Sequence, residues 1–488
     1  MSSKNSKNSK KNNDFRITPY HVNNSVTGSS VLVEVDGLKI LLDLGMFQSQ
    51  THKLTDIYKI NYQKLKIPFE DIDYVILSSS HADHSCGVGI LGREEINFKG
   101  RVIATELSQE LIALNIRDSA HLMATECEAY NKKYSKAELK PLYGDKEVST
   151  VLNMLEGHGY GETIRLNDKV SFEFLPNGHL SGDGSIYITY QKSGYEKKRL
   201  LYTGDHNFNR RKPFTKHWVE KNYKADVVIT ESTYAGRNHP KDDIFKQLEQ
   251  AVIDVCINKK QILFIPTFAI HRQTEVIYML KQIFDKNELL GTSNIPIYSA
   301  GVMSGKAHRI LGNPKYKEFY DEEWQELDDI FEWDRINFIE RFKDVEERLT
   351  DNKCKIVLAS SGMLTGGYSS YLTQCYVGRS NVNFLFTGYQ AVGSVGNRIM
   401  EGEHKTVSIQ GKQYPIRCNV VGKINLSGHA GNNQLVGLIR SLNQRTLKKV
   451  IIIHGNDDSK EIFKNQLDKC LDSSIDVIIP KVGEVIKI

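Results

Sequence analysis

Long apolar runs and paired cysteines are both missing from this sequence of 488 residues. No window approaches the roughly 18 consecutive apolar residues that a membrane helix needs, which excludes a membrane-spanning protein and predicts no membrane partner. The seven cysteines are an odd number, and no two of them form a CxxC pair. This usage argues against a disulfide framework and a thiolate zinc site, and it predicts a reducing, cytoplasmic location.

An excess of charge of one sign is also missing, since 64 Lys and Arg face 59 Asp and Glu, a formal net charge of +5. A slightly basic chain is compatible with a polyanionic partner but does not demonstrate one. Residues 1–14 are rich in Ser, Asn and Lys and contain no apolar segment. We therefore expect a short disordered basic tail there, and neither a signal peptide nor an anchor.

Strand-like and helix-like patterns alternate along the rest of the chain. Short apolar runs bounded by turn residues predict strands, and leucines that share a helical face predict helices. Thr105 is the predicted N-cap of the first long helix. The predicted strands are 31–35, 39–42, 74–77, 172–175, 200–202, 227–230, 262–265 and 449–453, and the predicted helices are 105–115, 244–255 and 432–442. This alternation indicates an α/β protein of more than one domain.

Five strand-like runs lead into an aspartate or a histidine. These residues are Asp43, the group His81, Asp83 and His84, then His179, Asp205 and His454. Loops at one end of the strands converge in layered α/β architectures, so we expect these side chains to lie together. Imidazole and carboxylate bind Zn²⁺ without cysteine, and the two oxygens of Asp205 could bridge two ions. Two neighbouring ions activate water and neutralise phosphate charge.

Each of these residues also has a simpler interpretation when it is taken alone. The sequence His81-Ala82-Asp83-His84 could equally be structural, and His179 or His454 would more often be a core or capping histidine. The ordered series of groups is more specific than any one of its members.

The series resembles that of the β-CASP nucleases of the metallo-β-lactamase superfamily, which include RNA-processing hydrolases and the cleavage-and-polyadenylation endonuclease. The resemblance extends over about residues 24–454. Asp43 in LLDLGMFQ matches the first motif, Ser79 to His84 the HxHxDH motif, His179 in NGHLSGDGS the third, and Asp205 in YTGDHN the fourth. The three β-CASP motifs match at Glu231 in TESTYAGR, His429 in LSGHAGN and His454 in IIIHGN.

The resemblance implies an α/β fold, namely a metallo-β-lactamase αββα sandwich with an inserted α/β β-CASP domain. It places the sandwich in residues 15–236 and 401–488 and the inserted domain in residues 237–400. It also implies one or two Zn²⁺ ions per chain. The implied ligands are His81, His179 and Asp205 for the first ion, and Asp83, His84, Asp205 and His454 for the second.

The activity that the resemblance implies is hydrolysis of RNA phosphodiester bonds, in RNA processing or decay, by water that the metal and Asp83 activate. Glu231 would position His429, which would act as the general acid, and Asp43 would orient a ligand histidine or its loop. A histidine at position 454 is typical of the RNA-directed branch of the family, which favours single-stranded RNA over DNA. Homodimers are common among members, so a homodimer is one option here.

Contacts with the RNA phosphates are expected from local groups, because acidic and basic residues nearly balance between positions 237 and 400. The candidates are Ser360, Ser361, Gly362, Arg272 and Lys306. Ordinary turn and surface roles are an equally good interpretation of these five residues.

The chain departs from the family pattern most seriously at Ser79, where HxHxDH has its first histidine. A neutral hydroxyl is a poor zinc ligand, so we expect weaker loading of the first site. Smaller departures are Gly431, Asn456, His271 and Val392. The alternative interpretation is therefore an attenuated or inactive paralogue that acts as an RNA-binding or protein-interaction subunit. A small-molecule metallo-hydrolase is a third, which the inserted domain disfavours.

Overall fold

The computed structural model describes residues 15–20, 25–49, 52–64, 67–134, 138–207, 215–217, 222–322 and 331–488. The predicted basic tail, residues 1–14, lies outside these ranges. Within them, three large sheets and one hairpin carry the fold.

The first sheet is mixed and has seven strands in the order β22-β1-β2-β3-β4-β5-β6. Its bounds are β1 Arg16–Pro19, β2 Val31–Val35, β3 Leu38–Leu42, β4 Tyr74–Ile76, β5 Arg101–Thr105, β6 Leu155–His158 and β22 Ile486–Lys487. Asp36 and Gly37 both have positive φ, which suits the tight turn between β2 and β3. From β3 to β6 the strands run parallel, so their carboxyl ends meet at one edge.

The second sheet also has seven strands, in the order β21-β20-β11-β10-β9-β8-β7. Its bounds are β7 Ile164–Arg165, β8 Val170–Pro176, β9 Gly184–Tyr190, β10 Lys198–Tyr202, β11 Val227–Thr230, β20 Lys449–Ile452 and β21 Asp476–Ile478. Strands β10, β11 and β20 are parallel to one another. Since β9 is antiparallel to both β8 and β10, β8 ends at the same edge as β10.

The two sheets pack face to face around one apolar core. Alternate residues of β8, such as Phe172 and Phe174, point into this core and meet Ile40 and Leu42 of β3. The outer face of the first sheet is covered by α1 Leu54–Gln63, α3 Glu106–Lys133 and α4 Asp145–Leu152. The outer face of the second sheet is covered by α12 Asn432–Ser441 and α13 Asp457–Cys470. The result is the predicted αββα sandwich, which uses chain segments from both ends of the sequence.

The third sheet is parallel throughout, in the order β14-β13-β15-β12-β16-β19. Its bounds are β12 Ile262–Pro266, β13 Ile297–Ala300, β14 Ile336–Ile339, β15 Lys355–Ala359, β16 Val382–Phe386 and β19 Asn419–Lys423. The central strands β12, β15 and β16 are buried along their whole length, as is typical of a parallel sheet covered on both faces.

Helices cover both faces of this third sheet. One face carries α5 Ile244–Val252, α6 Arg272–Lys286, α7 Glu288–Gly291 and α8 Val302–Leu311. The other carries α9 Phe342–Leu349, α10 Gly367–Tyr376, α11 Val395–Glu401 and the hairpin of β17 Thr406–Ile409 and β18 Lys412–Pro415. Leu107 and Leu111 of α3 join the first of these cores, so the long helix of the sandwich also packs against the inserted unit.

The predicted fold class is confirmed. The predicted domain boundaries stay a prediction, and the third sheet draws its edge strand β19 from beyond position 400. The helix predicted at 105–115 begins as expected, with the Thr105 side chain accepting a hydrogen bond from the backbone of Ser108, but it continues to Lys133. Among the described residues, none of the helices combines the length and the apolar character that crossing a bilayer requires.

Candidate metal centre

The predicted Asp and His side chains meet at the rim where the strands of both sandwich sheets end. Asp43 directly follows β3, and the short helix α2 Ala82–Ser85 follows β4. His179 follows β8, Asp205 follows β10 and His454 follows β20. The convergence arises because these strands run in the same direction within each sheet.

Asp43 orients His84 from below this rim. Its Oδ2 lies 2.7 Å from His84 Nδ1 and accepts hydrogen bonds from the hydroxyls of Ser78, over 2.7 Å, and Tyr202, over 2.6 Å. Its Oδ1 accepts from the Ser78 backbone N–H at 2.7 Å. Because the carboxylate holds the Nδ1 proton, His84 presents Nε2 to the site. These contacts place Asp43 behind His84, and its predicted role as a positioning residue stays a prediction.

Asp205 lies at the centre of the site and belongs to two groups of metal-capable side chains. The first group contains Asp83, His84, Asp205 and His454. Asp205 Oδ2 lies 3.1 Å from His84 Nε2, and Asp205 Oδ1 lies 3.2 Å from His454 Nδ1. His454 Nε2 in turn lies 3.6 Å from Asp83 Oδ2.

The second group contains His179, Asp205 and His429. His179 donates from Nδ1 to the Gly428 carbonyl over 3.0 Å, which leaves Nε2 facing Asp205 Oδ2 at 3.9 Å. His81 lies beside this group, with Nδ1 3.2 Å from His179 Nε2. The expected ligands of the first ion are thus together, and His429, predicted only as a general acid, lies close enough to join them.

Several buried atoms of the site are left without a hydrogen-bond partner among the described residues. They are His84 Nε2, His454 Nε2 and both carboxylate oxygens of Asp205. Such atoms are costly to bury, and a cation between them would satisfy all four. Imidazole and carboxylate ligands around a shared aspartate fit a divalent metal, so the residues present are suited to bind one.

The charge states of His81, His179 and Asp205 favour the same conclusion. Burial lowers the pKa of His81 to about 4, although the carboxylates of Asp83 and Asp205 raise it in part. Burial also lowers the pKa of His179 well below its usual value. Both imidazoles are therefore neutral at pH 7, which is the form that binds a metal. Burial raises the pKa of Asp205, but the surrounding histidines His454 and His84 more than offset this and hold it well below its usual range.

Glu231 and His429 form a pair at the open side of the centre. Glu231 follows β11 and is buried, and its Oε2 lies 3.1 Å from His429 Nδ1. Burial lowers the pKa of His429, but the carboxylates of Glu231 and Asp205 outweigh this effect and raise it to about 9. His429 is consequently an imidazolium at neutral pH.

Ser79 is fully engaged in hydrogen bonds of its own. Its hydroxyl donates to Asp183 Oδ2 over 2.7 Å and accepts from the His81 backbone N–H over 3.1 Å. Asp183 also accepts from the Ser80 backbone N–H over 3.1 Å. Asp183 is wholly buried and is not among the residues predicted from the sequence. The one signal for it was the departure at position 79, since a buried hydroxyl requires a partner.

The predicted phosphate-binding residues lie in the segments that follow three strands of the third sheet, β12, β13 and β15. Ser360, Ser361 and Gly362 follow β15, and Ser360 Oγ is 3.5 Å from Ser304 Oγ. Arg272 opens α6, is buried, and its guanidinium contacts Glu275. Lys306 is an exposed residue of α8. Their roles stay predictions, and for Arg272 an RNA phosphate would have to compete with Glu275.

The sandwich, the inserted unit and the shared aspartate define a metallo-hydrolase. The chain matches the model of the metallo-beta-lactamase superfamily over residues 24–106, that of the Beta-Casp domain over 273–399, and that of the Zn-dependent metallo-hydrolase RNA specificity domain over 413–480. The chain belongs to the β-CASP family of the metallo-β-lactamase superfamily, which confirms the predicted membership.

Similar proteins cover nearly the whole chain. It is 30% identical to the probable RNase MJ4 of Methanocaldococcus jannaschii over 473 residues, which are 94% of this chain and 97% of that protein. It is 27% identical to ribonuclease TTHA0252 of Thermus thermophilus, over 91% of this chain and 94% of that protein. It is 24% identical to Integrator complex subunit 11 of Danio rerio, over 96% of this chain and 74% of that protein. A crystal structure of a protein of unknown function from Enterococcus faecalis has the same fold over 97% of this chain and 100% of its own, with a TM-score of 0.55 at 12% identity.

Proposed function

We propose that this protein is a zinc-dependent ribonuclease that hydrolyses phosphodiester bonds of single-stranded RNA. The observation that carries the proposal is Asp205, which is shared between two metal-capable groups and has its Oδ2 3.8 Å from His429 Nδ1. The match to an RNA specificity domain and the similarity to two proteins named as ribonucleases support RNA as the substrate. His454 supports RNA over DNA through the resemblance to the RNA-directed branch of the family.

Zinc, when bound, supplies a Lewis acid that lowers the pKa of a water molecule and neutralises phosphate charge. We propose that Asp83, His84, Asp205 and His454 hold the tighter ion, because this group offers four side chains. His81, His179 and Asp205 would hold a second, weaker ion, since Ser79 is bonded to Asp183.

Asp83 supplies the proton acceptor for the attacking water. Burial raises the pKa of Asp83, but His84 and His454 outweigh it and the net shift is downward, so the carboxylate is ionised at neutral pH. Its side chain is also one of the more exposed in the group, at 19%. An ionised and partly exposed carboxylate can accept a hydrogen bond from water and orient it towards phosphorus.

His429 supplies the proton for the leaving oxygen. Glu231 occupies its Nδ1, so the proton available to the substrate is on Nε2. A buried carboxylate behind a histidine fixes the ring and stabilises the imidazolium. The side chain of His429 is 22% exposed, so a substrate can reach it. The segment Ser360 to Gly362, here called the serine loop, would bind a flanking phosphate.

The proposal is tested by incubating the zinc-loaded protein with RNA and DNA oligonucleotides of the same unstructured sequence. We expect cleavage of the RNA, slower or no cleavage of the DNA, and loss of cleavage in Asp205→Ala. Asp468→Ala, on an exposed turn of α13, is the matched control and should cleave as the wild type does. Wild-type protein that binds RNA without cleaving it above the Asp205→Ala level would instead support the inactive paralogue.

Two further proposals concern the setting of this activity. We propose a cytoplasmic location, supported by the odd number and scattered placement of the cysteines. We also propose a homodimer as the oligomeric state to be tested, by light scattering coupled to size-exclusion chromatography.

A further inference from the structure

Three large apolar side chains are exposed at one edge of the third sheet. Phe268 follows β12 and is 44% exposed, whereas Tyr389 and Val392 follow β16 and are 49% and 70% exposed. Strands β12 and β16 are parallel neighbours, so both loops lie at the same carboxyl edge. We name these three residues the platform. Exposed apolar groups that cluster in this way mark interaction sites more often than single ones do.

Both loops that carry the platform contact Gly362 of the serine loop. A Cβ placed on Gly362 would lie 3.4 Å from Phe268 Cδ2, so the ring packs against this glycine. Gln390, the residue after Tyr389, donates from Nε2 to the Gly362 carbonyl over 3.1 Å. Phe268 and the loop of Tyr389 thus both contact the segment that is predicted to bind an RNA phosphate.

Two contacts also connect the platform to the metal centre. His271, three residues after Phe268, lies with Nε2 2.8 Å from the hydroxyl of Ser181, which is two residues after His179. The second contact involves Thr387, two residues before Tyr389. Its carbonyl accepts a hydrogen bond over 3.3 Å from the backbone N–H of Leu426, which lies three residues before His429. The platform is therefore held against the two loops that carry His179 and His429.

The chemistry of the platform suits unpaired bases. A base stacks on an exposed aromatic ring whatever its sequence, and such stacking is a general device for binding single strands. Val392 adds exposed apolar surface that carries no charge, so it does not repel RNA phosphates. An uncharged surface beside a phosphate-binding loop can thus receive bases while the loop receives the backbone.

We propose that Phe268 and Tyr389 each stack on an unpaired base of the RNA strand that enters the metal centre, with Val392 as the apolar border of this base-binding subsite. The inference rests on the proposed ribonuclease function. It identifies the surface that would distinguish single-stranded from double-stranded RNA. A duplex hides the faces of its bases and could not use the platform.

The experiment compares KM and kcat of zinc-loaded variants on a fluorescently labelled, unstructured RNA. Phe268→Ala and Tyr389→Ala should each raise KM by about 5- to 100-fold, the range that the loss of one stacked base produces, and should change kcat less. Phe268→Trp and Tyr389→Trp should keep KM near the wild-type value. Val392→Glu should raise KM several-fold in a salt-dependent manner.

Two matched controls use exposed residues away from the platform. Tyr195 is 66% exposed in the turn before β10, at the opposite edge of the second sheet from Asp205, and Val485 is 52% exposed near the carboxyl terminus. Tyr195→Ala and Val485→Glu should leave KM unchanged. Thermal unfolding of each variant shows that its fold is intact.

An RNA with abasic positions on both sides of the cleavage point isolates the stacking. On this substrate the KM of the wild type should be close to the KM of the two alanine variants. If the wild type cleaves RNA normally and both alanine variants have an unchanged KM, the base-stacking proposal is wrong and the proposed ribonuclease function is unaffected. No cleavage of any RNA by the wild type would overturn the proposed function and the platform together.

Discussion

Ser79 donates its hydroxyl to Asp183 Oδ2 over 2.7 Å in the buried floor of the metal centre. The Ser79 hydroxyl oxygen also accepts a hydrogen bond from the His81 backbone N–H, so Ser79 supports the segment that carries the metal-capable residues. Burial raises the pKa of Asp183 to about 7, although the hydrogen bonds from Ser79 and Ser80 lower it. The side chain that replaces a family histidine has thus become part of the scaffold.

The first prediction concerns metal content. The wild type should retain about one tightly bound zinc per chain after dialysis, and Ser79→His should retain closer to two, because an imidazole is a far better ligand than a hydroxyl. Zinc per chain is measured by elemental analysis and native mass spectrometry. Ser380→His, at an exposed turn before β16, is the control for an added histidine. Two tightly bound ions in the wild type would show that Ser79 does not weaken the centre.

A second prediction concerns Asp43. Asp43→Asn should lower zinc affinity by about 10- to 100-fold, because the amide cannot accept all the hydrogen bonds that now orient His84 and Ser78. It should also destabilise the fold by about 1–3 kcal/mol, since a wholly buried donor loses its acceptor. Tyr202→Phe removes only one of these hydrogen bonds and should have a smaller effect on both. Competition with a chelator and thermal unfolding measure the two quantities.

The third prediction uses the close approach of two backbone segments. A Cβ on Gly45 would lie 1.5 Å from the Asp83 carbonyl oxygen, so Gly45→Ala must displace the loop that carries Asp83 and His84. We expect a lower Tm and weak zinc binding. Gly437 in α12 has open space around it, and Gly437→Ala should stabilise the helix by up to about 1 kcal/mol. Equal zinc affinity in both variants would contradict this account of the loop.

The fourth prediction concerns pH. Because the raised pKa of His429 keeps its acid form up to about pH 9, kcat/KM should fall as the pH rises through that value. Glu231→Gln removes a charge that favours the imidazolium, so this alkaline fall should begin about one pH unit lower. Glu484→Gln, an exposed substitution near the carboxyl terminus, should leave the profile unchanged. An alkaline limb that does not move in Glu231→Gln would mean that His429 is not the acid.

The convergence of the metal-capable side chains could be predicted from the sequence because each predicted ligand follows a strand. Strand direction decides which loops meet, and the apolar runs before Asp43, Asp205 and His454 identified the strands. Asp183 could not be predicted in the same way, because it precedes a strand and its role depends on a contact with Ser79, 104 residues away.

The parts of the fold that were missed have similar reasons. The predicted helix at 105–115 continues to Lys133 because Ile116, Ala120, Met123 and Cys127 extend its buried face with weaker apolar residues. Strand β19 is largely exposed and carries a glycine, so only its pairing with β16 shows that it is a strand.

The most direct test of the central claim is the fate of the attacking oxygen. The zinc-loaded protein cleaves single-stranded RNA in water enriched in ¹⁸O, and mass spectrometry identifies the new ends. The account predicts one ¹⁸O atom in the newly formed terminal phosphate, on ordinary RNA and equally on an RNA with a single 2′-deoxy nucleotide at the cleavage point. The contrary result is a 2′,3′-cyclic phosphate end that forms on ordinary RNA and is absent from the products of the 2′-deoxy substrate. It would show that the RNA's own 2′-hydroxyl attacks the phosphorus, and it would contradict hydrolysis at this centre.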